Sequence, residues 1–521
     1  MSPSSERRGM TDHVIEVGNV WATVTGKAFL CDKLMAIPDP KLARDAAVKL
    51  RLNDGLKHFF DTDTRQMPAG LVHRLERRLT KRGHKVQVVR REPPFHFGPT
   101  PADYLVGKNL RDYQVEAVDL SLTEGRGLLW MATNSGKSAV IATLCGRLVR
   151  EADAKVIVVV PNAYLLRQTS KDVADMLGPD VVVGIAGDGE RKLKAHVLVA
   201  TWQTLINGCA RGRLPAEDPG LASWLALAHA IIVDETHHAA SDAYQRILRT
   251  AVSAQYRFGC TGSLDKGDKR VEGERKEGSD DAARMHRWMV EAHIGPLLYQ
   301  VDNAYLIENG YSAVPRFFVV RDRAAFGPMV RTPRPTGRGR PVNPYNHVFE
   351  YACVRDAKWH RSVADVVRHL IAVGRPPFVF SHSVKLLRSL SAAMEAAGVP
   401  HKVLHGDHAT FDRVRVIKDF ENEGGFAILA SSIFDEGASI PAIRSVVFAG
   451  ARKSPVELLQ RIGRGVRKKV GESNDVLVVD FDPVHSTMLH DHFEARLASY
   501  RAEGFKVKYV DDLTQVPELV V

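Results

Sequence analysis

Two short segments of this 521-residue chain hold the residue types and spacings best suited to chemistry. Met131-Ala-Thr-Asn-Ser-Gly-Lys-Ser138 follows the apolar run GLLW and precedes the helical pattern AVIATLCGRLV. A strand, a tight loop and a helix in that order make a phosphate cradle, because loop N–H groups and the helix N-terminus face the anion. Thr133, Asn134, Ser135, Gly136, Lys137 and Ser138 form the cradle. Lys137 brings a point charge to the β- and γ-phosphates, and Ser138 offers its hydroxyl to Mg2+. The general pattern opens on Gly where this chain has Met131. Asn134 is among the non-glycine residues that best tolerate a positive φ, so the turn remains feasible there.

The second segment is Ala230-Ile-Ile-Val-Asp-Glu-Thr-His-His238, an apolar strand ending in two carboxylates. Adjacent acids at a buried strand end are costly unless a cation neutralises them. Asp234 is therefore assigned to the Mg2+ shell and Glu235 to orienting or deprotonating an attacking water. His237 is placed to couple this strand to the next, whereas His238 reads as structural. The two segments together describe hydrolysis of a nucleoside triphosphate.

The elements that must hold these groups are short apolar runs alternating with helical patterns. From about residue 110 the runs GLLWMA, KVIVVVP, HVLVAT, AIIVDE and YRFGCTG are apolar on both faces. Such runs separated by helices predict a buried parallel sheet. The charged stretch LDKGDKRVEGERKEGSDD has little to bury and reads as a loop. A second series follows in RFFVV, FVFSH, HKVLHG, FAILAS, SVVFAG and DVLVVDF. The fold expected is α/β, two tandem parallel-sheet domains preceded by a small α/β unit. The boundaries expected are 1–98, 99–310 and 311–521.

In the first unit VIEVGNVWATVTG reads as a strand or hairpin and KVQVVRR as a further strand. Pro68 opens a helix whose Leu71, Val72, Leu75 and Leu79 share a face. Its other side carries Arg74, Arg77, Arg78, Lys81 and Arg82, either a solvated face or a phosphate-contacting one. PPFHFGPTP reads as a linker. Arg331 to Asn346, rich in Pro, Gly and Arg, reads as an exposed insertion or an extended strap facing nucleic acid.

Composition narrows the partners. The net charge is +11 and the pI about 9.3, which permits a polyphosphate partner without specifying a sequence. The five cysteines, Cys31, Cys145, Cys209, Cys260 and Cys353, are scattered singly, which argues against a disulfide framework and a structural zinc site. A reducing cytoplasm fits that usage. No apolar run is long enough to span a bilayer, so no membrane partner is expected. His485, His490 and His492 lack a Cys partner and read as surface or interdomain histidines rather than metal ligands.

With the two chemical segments in place, an ordered motif set emerges. Over roughly residues 104 to 500 the chain resembles superfamily-2 helicases of the DExH group, most like UvsW-type phage helicases and XPB-like repair helicases. Leu110-Arg-Asp-Tyr-Gln114 resembles the segment in which a Gln reads adenine, which implies ATP as the nucleotide and Gln114 as its reader. Pro161-Asn162 and Thr201 with Gln203 lie in segments resembling motifs Ia and Ib, which run along the nucleic-acid backbone in the family. Gly259-Cys-Thr-Gly-Ser-Leu264 resembles motif III, linking hydrolysis to movement.

In the second domain Val379-Phe-Ser381-His382 resembles motif IV, His405-Gly-Asp407 the motif after it, and Ser431 to Pro441, with Ser432 and Gly437, motif V. Gln460-Arg-Ile-Gly-Arg464-Gly-Val-Arg467 resembles motif VI, which implies that Gln460 contacts phosphate and that Arg464 and Arg467 act as arginine fingers. Motif V departs from the subgroup at Ser439, where Asp is usual. Phe60 to Leu71 resembles a segment of an accessory domain that engages duplex or branched DNA in these families, and Arg77 and Arg78 are the candidate contacts there.

The resemblance implies an ATP- and Mg2+-dependent DNA helicase or translocase acting on forks, displacement loops or junctions. RNA as the track and a restriction-system translocase subunit are the alternatives, although no nuclease motif accompanies the motor. Oligomeric state does not follow from the sequence.

Overall fold

The computed structural model describes residues 11–40, 42, 54–91, 95–132, 134–211, 216–262, 279–312, 314–321, 323–332, 343–405, 410–431, 443–450, 475–502 and 505–511. The chain divides into two compact units: 1–132 with 136–302, and 133–135 with 303–521.

The first unit opens with a hairpin of β1 (His13–Val17) and β2 (Trp21–Thr25). A small antiparallel pair, β3 (Ala36–Pro38) and β4 (Leu56–His58), follows. β5 (Gln66–Pro68) and β6 (Val86–Arg90) complete a four-stranded sheet of order β5-β2-β1-β6. Pro68 ends a strand instead of opening the helix. A 3-10 turn, Ala69–Leu71, intervenes before the helix Val72–Thr80. Leu71, Val72, Leu75 and Leu79 are buried as their shared face requires. The presumed linker is not slack: Phe95 N donates to the Tyr256 hydroxyl at 2.6 Å, and buried Arg147 donates to Gly98 O at 2.8 Å and Thr100 Oγ1 at 2.6 Å.

The large sheet of this unit contains β7 (Arg126–Met131), β8 (Val156–Val160), β9 (Val183–Gly187), β10 (Glu190–Lys192), β11 (Val197–Thr201), β12 (Ala230–Asp234), β13 (Tyr256–Thr261) and β14 (Leu297–Val301). Its order is β10-β9-β11-β8-β12-β13-β7-β14. Every pairing is parallel except β9 with β10. The all-apolar strands are buried on both faces, which is why they show no alternation. The charged stretch after Gly262 lies outside the described residues over 263–278, and its last residues, Ser279–Asp281, begin the helix Ser279–His293 rather than ending a loop.

The second unit holds β15 (Val314–Val320), β16 (Pro377–Phe380), β17 (His401–Leu404), β18 (Ala427–Ala430), β19 (Ser445–Phe448), β20 (Asp475–Phe481) and β21 (Val507–Val510). The order is β17-β18-β16-β19-β20-β15-β21, parallel throughout. Beneath β20 the buried pair Arg496–Asp480 is bidentate, at 2.9 and 3.0 Å, and the Tyr500 hydroxyl adds a third donor at 2.9 Å. Of the Arg331–Asn346 segment, 333–342 lie outside the described residues, and Asn343 caps the short helix Pro344–Phe349. All five cysteines are buried and free.

Candidate nucleotide site and nucleic-acid edge

Strand register assembles the first site. Asp234 on β12 pairs with Cys260 on β13, and Thr261 pairs with Trp130 on β7. The carboxyl ends of these parallel strands therefore fall on one edge, and chain order jumps from β7 past β13 and β12 to β8. Such a switch point leaves a crevice beyond the strand ends. The Met131–Ser138 loop enters it between β7 and the helix Lys137–Ala152.

Two loop residues are left-handed, Asn134 at φ 70° and Gly136 at φ 79°. A Cβ on residue 136 would sit 2.3 Å from Gln114 Nε2, so the Gln114 amide abuts the loop and only glycine permits that approach. Gln114 is itself buried, and its Oε1 accepts from Arg111 N at 2.9 Å. Lys137 begins the helix, and its Nζ donates to Met131 O at 3.3 Å. Ser138 follows it, half-buried. Thr133 lies outside the described residues.

At the end of β12, Glu235 N donates to Asp234 Oδ1 at 2.9 Å, and Glu235 adopts φ 50°. Burial, then the charge of Glu235, drive the Asp234 carboxyl above the usual carboxylate range, against the pull of Lys137. Burial also opposes ionisation of Glu235, but the His237 hydrogen bond and Lys137 outweigh it and hold Glu235 low. Two carboxylates forced apart in this way form a site that a divalent cation relieves. Ser138 and Asp234 are the oxygen donors that can hold Mg2+, and Gly136, Lys137 and the helix N-terminus can hold phosphate. His237 Nδ1 lies 3.4 Å from Glu235 Oε2 and 3.4 Å from Thr261 Oγ1, so it touches both the acid pair and the next strand. His238 stacks on Tyr244.

The same edge gathers the motif Ia and Ib residues. Val160 pairs with Thr201, which sets Pro161 and Asn162 beside Thr201 and Gln203. Gln203 Nε2 donates to Pro161 O at 3.2 Å, Asn162 caps the helix Ala163–Leu177, and Thr201 caps Trp202–Leu205. In the second unit Ser381 follows β16 and His405 follows β17, both at the carboxyl edge, and Ser381 Oγ accepts from Ser383 N at 3.2 Å. Ser432, Gly437, Gln460, Arg464 and Arg467 lie outside the described residues.

The basic helix face divides. Arg77 is exposed, but Arg78 donates to Leu34 O and stacks over Trp288 at 4.6 Å, and burial lowers its pKa. The Arg78 guanidinium is half-buried, with a carbonyl and an indole face already as neighbours. His485 packs on Phe326 with its Nε2 on Ala352 O at 3.0 Å, His490 bonds Asp482 at 2.6 Å, and His492 stacks on Tyr345. No motif pointed to His286 or Gln245, which bond the turn after Glu235. The available signal was the apolar spacing of Met285, Trp288, Met289 and Ala292 inside a stretch that otherwise looks charged.

Residues 107–266 match the family described as Type III restriction enzyme, res subunit, and residues 362–469 match the Helicase conserved C-terminal domain. The chain belongs to the superfamily-2 helicases. Membership makes this helicase a nucleic-acid-dependent ATPase, and its two parallel sheets are RecA-like. It is 23% identical over 391 residues to "DNA 3'-5' translocase XPB2" of Sulfurisphaera tokodaii, spanning 70% of this chain and 80% of that protein. It is also 23% identical over 365 residues to "ATP-dependent DNA helicase uvsW" of Enterobacteria phage T4, spanning 68% of this chain and 65% of the phage protein. The chain thus covers slightly less than two thirds of the phage relative's length. The solved structure of S. cerevisiae Dbp5 bound to RNA and ADP BeF3 shares the fold at a TM-score of 0.52 and 17% identity, covering 80% of this helicase and 93% of that chain. No helix among the described residues is long and apolar enough to cross a membrane.

Proposed function

We propose that the helicase is a DNA translocase that couples Mg2+-dependent ATP hydrolysis to remodelling of branched DNA such as forks, displacement loops and junctions. The observation that carries the hydrolytic part is the shared edge of Lys137, Asp234 and Glu235, with Gln114 against the loop. In this reading Lys137 neutralises the β- and γ-phosphates, Ser138 and Asp234 hold Mg2+, and Glu235 orients the attacking water. Gln460 contacts phosphate, Arg464 and Arg467 supply positive charge from the second domain, and Gln114 and Gly437 contact the nucleotide. DNA as the track is supported by the XPB2 and uvsW relatives, whose names specify DNA.

The proposed backbone track follows Pro161, Asn162, Thr201 and Gln203, then Ser381, His405 and Ser432, contacts that position a strand without reading its sequence. Exposed Arg77 and half-buried Arg78 are the candidate contacts on the N-terminal helix. The division into an accessory domain, 1–98, and two motor domains, 99–310 and 311–521, belongs to the same proposal. So does a bacterial or phage-infected cytoplasm as the setting.

ATP turnover and unwinding across single strands, duplexes, forks and junctions, in both DNA and RNA, test the reading. Branched DNA should stimulate turnover most, and Lys137→Ala should abolish the stimulated activity. Turnover indifferent to every nucleic acid overturns the motor, and equal stimulation by RNA overturns the DNA assignment. The restriction-subunit description of the matched family favours a second reading, translocation on linear duplex, and preferential stimulation by long linear duplex over junctions would select it.

A further inference from the structure

The helix Ser279–His293 belongs to two cores at once. Met285, Trp288, Met289 and Ala292, spaced to share one face, pack with the N-terminal sheet and its helix, whereas Val290 and the following Ile294 pack with the large sheet. On the N-terminal side the contact is unusually close. A Cβ on residue 70 would lie 2.0 Å from Glu291 O and 2.9 Å from Ala292 O, so the module docks backbone against backbone. Arg74 then grips the buried Glu291 carboxylate with two hydrogen bonds, at 2.6 and 2.7 Å.

From its other side the same helix holds the turn that follows Glu235. His286 Nε2 donates to His237 O at 2.9 Å. Gln245 Nε2 donates both to Met289 O of the helix, at 2.8 Å, and to Ala239 O of the turn, at 2.7 Å. Glu235 sits at φ 50°, a conformation that persists in a non-glycine residue only when its surroundings over-determine it. Thr236 supplies part of that constraint through Val233 O and Cys260 O, and His286 and Gln245 supply the rest.

We propose that this helix is the strut through which the N-terminal module sets the position of Glu235, with His286 and Gln245 as positioning residues for ATP hydrolysis. A load on the module, such as engaged DNA, reaches the hydrolytic turn through Gly70, Arg74 and Glu291 without crossing the nucleotide loop. The inference rests on the hydrolytic role proposed above for Glu235.

Two kinds of variant test it in the full-length chain with a DNA activator. His286→Leu should lower kcat about tenfold or more, as expected when a catalytic group shifts by a fraction of its working distance, and leave the KM for ATP unchanged. His286→Gln, whose amide can reach the same carbonyl, should restore most of the rate. Gly70→Ala should lower kcat from the opposite side of the helix and raise hydrogen exchange at the amides of 236–240. Combined with His286→Leu, it should cost little beyond either change alone, because both act through one element.

Wild-type kcat in His286→Leu overturns the proposal, as do His286→Gln performing no better than Leu, unchanged exchange at 236–240 in Gly70→Ala, or a double variant whose losses multiply. Lys137→Ala run alongside separates the two failures. If it too turns over ATP normally, the hydrolytic reading falls; if it is inactive while His286→Leu is normal, only the strut falls.

Discussion

Replacing Glu235 by Gln isolates one carboxylate in a site where little else should move. The side chain keeps its length, and the residue keeps the φ of 50° that Gln tolerates no worse than Glu. Its backbone N–H still donates to Asp234 Oδ1. What disappears is the negative charge and the acceptor for the water's proton. A positioned general base contributes about 100- to 10,000-fold, equivalent to about 3–5 kcal/mol of barrier at 1.36 kcal/mol per decade.

A second effect follows from the geometry. The charge of Glu235 is one of the two causes that lift Asp234, so Glu235→Gln lets Asp234 ionise at lower pH. Mg2+ should therefore bind at least as well as in the wild type. The expected result is a steady-state ATPase rate at least 100-fold lower, with ATP and Mg2+ affinities retained in equilibrium titrations. A variant within twofold of the wild-type rate would falsify the assignment. A variant that loses ATP binding along with turnover would show Glu235 to be a ligand-holding group instead.

Gly136→Ala should weaken ATP binding about tenfold, because the left-handed backbone costs an L-residue about 1–2 kcal/mol and the Cβ must displace the Gln114 amide; a nucleotide titration with ATP and GTP checks both the loss and a blunted preference for adenine. Glu291 is held below the ordinary carboxylate value of 4.5, with its His73 and Arg74 hydrogen bonds outweighing its burial. Its contribution to docking the N-terminal module is thus complete above that value and is lost as pH falls through the depressed one. Melting curves from pH 6 to 3 should show an acid loss that Glu291→Gln flattens. Arg496→Met strands the buried Asp480 carboxylate and should cost the 303–521 unit about 3–5 kcal/mol, which Asp480→Leu in the same chain should largely recover; calorimetry showing an unshifted transition would refute the pairing.

Much of the motor was legible because its strands are buried on both faces. Runs such as KVIVVVP and AIIVDE are apolar up to their ends, and the segments at those ends hold the candidate site residues, so strand and candidate site announce one another. Among the strands that escaped notice are two whose stability comes from neighbours. β10 is the charged Glu190-Arg-Lys192 at a sheet edge, and β21 is only Val507–Val510. Pro68 misled because its fixed φ suits either a helix start or a strand end, and only pairing with Trp21 decides between them. Arg78 was unreadable for a different reason. A cation on a helix face looks solvated unless the partner that covers it is known, and that partner, Trp288, lies far along the chain. His286 belongs to the same class, since its role depends on a carbonyl rather than on any motif.

The burial of every cysteine has a practical consequence for watching this machine move. Burial pushes the Cys31 thiol up to about 11 and the Cys353 thiol up to about 12, and it raises Cys145, Cys209 and Cys260 as well. Thiolate is the form that maleimides attack, so the folded chain presents them with almost nothing to modify. One cysteine introduced at exposed Thr80 of the N-terminal helix and another on the second unit at exposed Arg361 would each take a dye in the otherwise native background. The chain is already silent to the chemistry used to make it visible.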